Sequence, residues 1–163
     1  MPNLRAFAIS LCGDEHTAND LVQETLLKAW ANGDKFENGT NLKAWLFTIL
    51  RNSYFSRLRG TRREINDEDG AAAAQLSTHP EQHGHMDMQD FLQALGELSA
   101  DQREALLLVG AEGFSYEEAA EICGCAVGTI KSRVNRARSR LAELMNVTAF
   151  DEFGAPKANH SAL

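Results

Sequence analysis

The chain has 163 residues, 44% of them hydrophobic, and a formal net charge of −7, enough for one medium domain or two small ones. No apolar run approaches a membrane span, and the start, MPNLRAFAISLCGDEH, lacks a signal-peptide layout, so a cytoplasmic protein is predicted. Three cysteines, an odd number without disulfide-framework spacing, fit a reducing compartment.

The acidity is unevenly spread. Residues 1–63 hold nine Lys/Arg against six Asp/Glu, whereas 64–98 hold eight acids and no Lys or Arg. Residues 99–145 carry six basic and seven acidic side chains. Negative charge therefore concentrates between two modules whose own cations are grouped. Local patches, not the total, govern contact with a polyanion.

In chain order, Leu4, Phe7, Ala8 and Leu11 mark an amphipathic helix that ends near Gly13. Thr17 is placed to cap a second helix over 18–31. In its DLVQETLLKAW stretch, Val22, Leu26, Ala29 and Trp30 form one face, with Leu21 and Thr25 beside them. Asp20, Gln23, Glu24 and Lys28 form the other face and surround Leu27. That leucine is either an ordinary exposed side chain or the anchor of a protein-binding spot. The segment Lys35-Phe36-Glu37-Asn38-Gly39-Thr40-Asn41 is a turn-rich loop, with Asn38-Gly39 the turn signal and Asn41 a candidate N-cap.

A third helix is predicted over 42–59, stopping at Gly60. Trp45, Leu46 and Ile49 read as core. Arg51, Asn52, Arg57, Arg59, Arg62 and Arg63 interleave polar groups with Phe47, Tyr54 and Phe55, a mixture suited to a phosphate backbone and unstacked bases. Residues 64–88 change character: acidic, rich in small residues and interrupted by Pro80, they predict a flexible linker. Its His79, His83 and His85 read as solvated side chains, since nothing fixes them at metal-ligand spacing.

The second module, 89–145, begins with Phe91, Leu92 and Leu95. Ser99 with Gln102 makes a capping box opening a helix that runs up to Gly113; Ser115 with Glu118 makes another. The latter starts a short helix with Ala119, Ala120 and Ile122, interrupted at Gly124. A final helix sets Val127, Ile130, Val134, Ala137, Leu141 and Leu144 on one stripe. Opposite lie Gly128, Ser132, Asn135, Arg136 and Ser139, flanked by Lys131 and Arg138 on one side and Arg133 and Arg140 on the other. Short polar groups between two rows of cations suit a major groove, where the centre reaches base edges and the flanks reach phosphates. The pair Cys123 and Cys125 lacks a partner pair for zinc and reads as small packing groups. The tail 146–163 has few apolar anchors and is expected to fray.

These stretches resemble a known family. DLVQETLLKAW is similar to the polymerase-binding helix of bacterial extracytoplasmic-function sigma factors, and NLKAWLFTILRNSYFSRLR to their −10-element helix. ALGELSADQREALLLVGAEGFSYEEAAEICGCAVGTIKSRVNRARSRL is similar to their −35-element module, and its wording resembles the alphaproteobacterial general-stress EcfG subgroup. Met1 lies almost on the PNLRAFA stretch, with less chain before it than relatives usually have, which implies a shortened first helix.

The resemblance implies an all-α fold: a region 2 helical bundle and a region 4 helix-turn-helix, joined by the linker. It implies that Asp20, Gln23, Glu24 and Leu27 contact core RNA polymerase. The loop 36–41, including Phe36, Asn38, Thr40 and Asn41, would receive a flipped promoter base, with Arg51, Asn52 and Arg59 also at the −10 element. Lys131, Ser132, Arg133, Asn135 and Arg136 would meet the −35 element, and the linker would run through the RNA channel. Implied partners are core polymerase, promoter DNA, a small anti-sigma factor of the NepR type and a response-regulator-like protein that releases it. No residue is assigned to catalysis, a cofactor or a metal. The competing reading is an autonomous helix-turn-helix regulator, which would need a dimer seam that the chain beyond Leu144 does not supply.

Overall fold

The computed structural model describes residues 2–67 and 88–145, and these form seven α-helices without a strand among the described residues. The first module comprises α1 (Pro2–Cys12), α2 (Glu15–Ala31), a short 3₁₀ turn (Gly33–Lys35) and α3 (Leu42–Asp67). The second comprises α4 (Met88–Gly96), α5 (Ala100–Leu106) running into a π turn (Leu107–Ala111), α6 (Tyr116–Cys123) and α7 (Val127–Leu144). Residues 68–87 and 146–163 lie outside the described residues, and with them His79, His83, His85, most of the acidic linker and the tail.

Local chemistry sets the helix ends. Asp14, not Thr17, caps α2: its carboxylate accepts from the Thr17 amide at 2.7 Å, an interaction that holds the Asp14 carboxyl below its ordinary pKa. Asn41 accepts from the Ala44 amide at 3.1 Å and caps α3. Ser99 and Ser115 cap α5 and α6 by accepting from Gln102 and Glu118. Gly124, at φ +66°, makes the left-handed turn between α6 and α7 that a residue with a Cβ adopts only under strain.

Two elements differ from the sequence reading. α3 passes through Gly60 to Asp67; a glycine inside a helix costs about 1 kcal/mol relative to alanine, which lowers helicity without forcing a stop. The helix predicted to reach Gly113 instead widens into the π turn. Gly113, at φ +75°, then redirects the chain and delivers Phe114 toward α3.

The modules share one core. Phe47 of α3 lies 4.8 Å from Phe7 of α1 and 5.4 Å from Phe114 of the second module, centroid to centroid, and all three rings are buried. Leu4, Ala8, Leu11 and Leu50 continue this core on one side, and Leu108, Ile122 and Ile130 on the other. Every buried side-chain nitrogen and oxygen among the described residues has a hydrogen-bond partner. Thr25, for example, donates to the Leu21 carbonyl at 2.7 Å.

Candidate polymerase and promoter surfaces

α2 is packed between α1 and α3 along Ala18, Leu21 and Thr25. The choice of buried face is the main correction to the sequence reading: with Ala18, Leu21 and Thr25 turned inward, Leu26 and Trp30 point outward. Trp30, expected on the inner face, is 91% exposed; Leu27 is 71% and Leu26 45% exposed. Gln23, Leu26, Leu27 and Trp30 follow i, i+3, i+4, i+7 spacing, so they form one solvent-facing stripe. Beside it, Asp20, Gln23, Glu24, Leu27 and Lys28 line a shallow concavity that continues to Ala31 and Asn32. Apolar periodicity identifies an amphipathic face without saying whether it meets a neighbour in the same chain, so the exposure of Trp30 is not legible from sequence.

Glu24 faces inward from this surface. It accepts from Lys28 at 2.6 Å and from Arg57 of α3 at 2.6 and 3.2 Å, and these bonds hold its carboxyl below the ordinary value. Lys28 also donates to the buried Ser53 hydroxyl at 2.9 Å. Glu24 therefore spends its oxygens joining α2 to α3, while Asp20, Gln23 and Leu27 stay exposed.

A second groove runs along the other side of the same junction, lined by Lys28, Asn32, Lys35, Trp45, Ile49, Asn52, Ser53 and Ser56. Phe36 packs on Trp45 at 5.1 Å and closes its end. The groove has an apolar floor, two lysines and a polar rim, a combination able to take a base and its phosphate. Of the residues expected at the −10 element, Asn52 lines this groove and Phe36 packs on its Trp45, while Asn38 and Thr40 are exposed in the loop that leads into α3. Asn41 uses its side-chain oxygen as the α3 cap, and Thr40 donates to the Glu37 carbonyl at 2.7 Å. Arg59 is exposed and near Ser56.

Arg51 stands apart. Its Nε lies 2.5 Å from Glu104 Oε1, its Nη1 donates to Asn52 at 3.3 Å, and its guanidinium stacks 4.5 Å over Phe55. Burial acts against the guanidinium charge, but hydrogen bonding and charge from Glu104 outweigh it and raise the Arg51 pKa. Neither Asn32 nor Ser56 stands out in the sequence, and Lys28 and Lys35 do so only as part of the polar face of α2 and of the turn-rich loop.

On α7, Ile130, Val134, Ala137 and Leu141 are buried against the rest of the module, while Lys131, Ser132, Asn135 and Arg136 are exposed on the outer side. Arg133 is half-buried. It leans toward Asp101 at 4.0 Å and donates to the Cys125 sulfur at 3.9 Å, which puts it on the flank. Arg138 is likewise half-buried, and Arg140 pairs with Glu143. Cys12, Cys123 and Cys125 are free. Burial and the charge of Asp14 push the Cys12 thiol up to about 11, and burial followed by Glu104 pushes Cys123 up as well. Both are protonated and poorly nucleophilic near neutral pH.

A short helix and an 18-residue helix at a glycine turn, the second with an exposed polar face, joined to a three-helix bundle with an exposed apolar stripe, define the class. Residues 1–64 match the model for Sigma-70 region 2, and 88–141 match Sigma-70, region 4. The chain is 60% identical over 154 residues to the ECF RNA polymerase sigma factor EcfG of Rhodopseudomonas palustris, covering 94% of this chain and 85% of that protein. It is 37% identical over 135 residues to the ECF RNA polymerase sigma factor SigC of Mycobacterium tuberculosis, covering 82% of this chain and 72% of that protein. Among solved structures it is similar to the sigma factor RpoE of Bartonella quintana, determined in complex with the anti-sigma factor NepR. That match has a TM-score of 0.80 and 61% identity over 91% of this chain and 92% of that one. The chain belongs to the ECF RNA polymerase sigma factors, which direct core polymerase to promoters. No described helix is long and apolar enough to cross a membrane.

Proposed function

We propose that this sigma factor serves general-stress promoters, with residues 1–63 binding core polymerase and the −10 element and 89–145 reading the −35 element across the 64–88 linker. The outward polar face of α7, backed by the buried Ile130, Val134, Ala137 and Leu141, is the observation that carries the reading. In this division of labour, Asp20, Gln23 and Leu27, joined by Leu26 and Trp30, meet polymerase, and Glu24 fixes the orientation of their helix. The α2–α3 groove with Phe36, Asn38, Thr40, Asn41, Asn52 and Arg59 traps unstacked non-template bases. Each aromatic stacking contact contributes roughly 1–3 kcal/mol toward keeping the duplex open. Nucleotidyl transfer belongs to the polymerase. The likeness to a sigma factor solved with NepR supports an anti-sigma factor of the same type as the resting partner. Release by a response-regulator-like protein follows from the subgroup resemblance.

Reconstituted transcription tests this reading: core polymerase with the full chain, on a randomised promoter library, should enrich one −35/−10 pair. An autonomous regulator would instead shift its operator without polymerase and leave the library unselected.

The exposed centre of α7 leads to a finer prediction. Arg136→Ala or Asn135→Ala should relax preference at particular −35 positions by roughly 1–3 kcal/mol, the discrimination typical of a base-edge contact. Arg138→Ala, on the half-buried flank, should weaken all promoters alike, lowering the salt slope by about one if it touches phosphate. Holoenzyme binding to single-base −35 variants at two salt concentrations checks both. A position-specific effect from Arg138→Ala alone would mean that α7 docks by another face.

A further inference from the structure

Tyr116 is the first residue of α6, where the Ser115 cap fixes the start of the helix, and its half-buried ring packs against the core. Across the glycine turn, the ammonium of the exposed Lys131 on α7 sits over that ring, 5.8 Å from its centroid. Two other cations of α7 hold their charge differently. Arg133 leans on Asp101 at 4.0 Å and Arg140 on Glu143 at 3.2 Å, so each is partly neutralised by a carboxylate. Lys131 has no carboxylate partner among the described residues, although Glu117, Glu118 and Glu121 are exposed on α6.

An aromatic face attracts a cation through its quadrupole and leaves the charge intact. A carboxylate in the same place would have to be displaced before a phosphate could bind. The ring also limits the rotamers of a long, flexible side chain, so less freedom is lost when that side chain meets a ligand. In a helix-turn-helix the first helix crosses the DNA backbone while the second enters the major groove. A lysine drawn from the second helix toward the start of the first therefore faces the groove wall, where the phosphates are. We propose that Tyr116 is a positioning residue for −35 binding: its ring aims Lys131 at a backbone phosphate without neutralising it, so that Lys131 anchors α7 and leaves base reading to Ser132, Asn135 and Arg136. The proposal rests on the reading of α7 as the −35 helix.

The test uses the full chain with core polymerase, and single-base −35 variants of the promoter selected from the library, over a series of salt concentrations. Lys131→Gln should weaken every −35 variant by the same factor and lower the salt slope by about one. Tyr116→Leu keeps apolar bulk at the site and should weaken binding about twofold to fivefold, the size of an exposed cation–aromatic contact. That loss should vanish in a Lys131→Gln background, the coupling that a double-mutant cycle isolates. Tyr116→Phe should bind like wild type, because the ring and not the hydroxyl carries the effect. Equal losses from Tyr116→Leu with and without Lys131→Gln overturn the proposal, as does a loss from Tyr116→Phe equal to that from Tyr116→Leu.

Should Tyr116→Leu not fold, the free wild-type chain supplies the measurement. Ring current from Tyr116 should move the Lys131 ε-methylene proton resonance upfield, assigned by its disappearance in Lys131→Gln, and Tyr116→Phe should keep it there. A Lys131 resonance at the position of an unstructured lysine overturns the proposal. The two readings fail differently. If Lys131→Gln, Asn135→Ala and Arg136→Ala all leave promoter binding unchanged, α7 does not enter the groove and the −35 reading falls. If Asn135→Ala or Arg136→Ala relaxes −35 preference while Tyr116→Leu changes nothing, only the positioning role is wrong.

Discussion

Leu27→Ala combined with Trp30→Ala should weaken association with core polymerase on the order of 100-fold or more, since buried anchors at protein interfaces commonly contribute about 2 kcal/mol or more each. Thermal unfolding should stay nearly where it was. Both side chains project from α2 into solvent, so their removal opens no cavity and breaks no hydrogen bond. The surrounding Asp20 and Gln23 supply a polar rim, and the Glu24 bonds to Lys28 and Arg57 keep the helix oriented without them. Competition binding with fluorescent core polymerase, together with calorimetry of the free protein, reads both outcomes. Wild-type affinity in the double variant would remove this face from the polymerase interface.

Phe47→Ala should have the largest effect on stability. The ring is 2% exposed and sits between Phe7 and Phe114, touching both modules. Truncating a buried phenylalanine costs about 3–5 kcal/mol through lost transfer energy and the cavity left behind. For a chain of this size that corresponds to a fall in Tm on the order of 10 °C. Because the ring belongs to a core continuous across the modules, the wild-type protein should unfold in one transition, and the variant in a single earlier one or in two. Scanning calorimetry distinguishes these outcomes. A variant that lowers only one of two pre-existing wild-type transitions would show that the modules do not share stability in solution.

Much of the secondary structure was legible because it depends on residues three or four apart. The 3.6-residue periodicity of Leu4, Phe7, Ala8 and Leu11 matches the buried face of α1, and that of Ile130, Val134, Ala137 and Leu141 matches the buried face of α7. The Ser99 and Ser115 caps and the left-handed Gly124 act within one helical turn of their own positions. Two local signals mislead: Asp14 rather than Thr17 caps α2, and Gly60 does not stop α3.

Tertiary structure decided what local pattern leaves open. Nothing near Trp30 in the chain specifies whether its apolar face meets α1 and α3 or solvent. The close packing of Ala18, Leu21 and Thr25 resolves that choice. Nor does sequence indicate that Arg51, one of several arginines on α3, finds a carboxylate 53 positions away while Asn52 beside it stays exposed. The resemblance to a known family was readable in the order of the motifs. The ion pairs joining its two modules were not, because they arise from side chains brought together only when both modules fold onto one core.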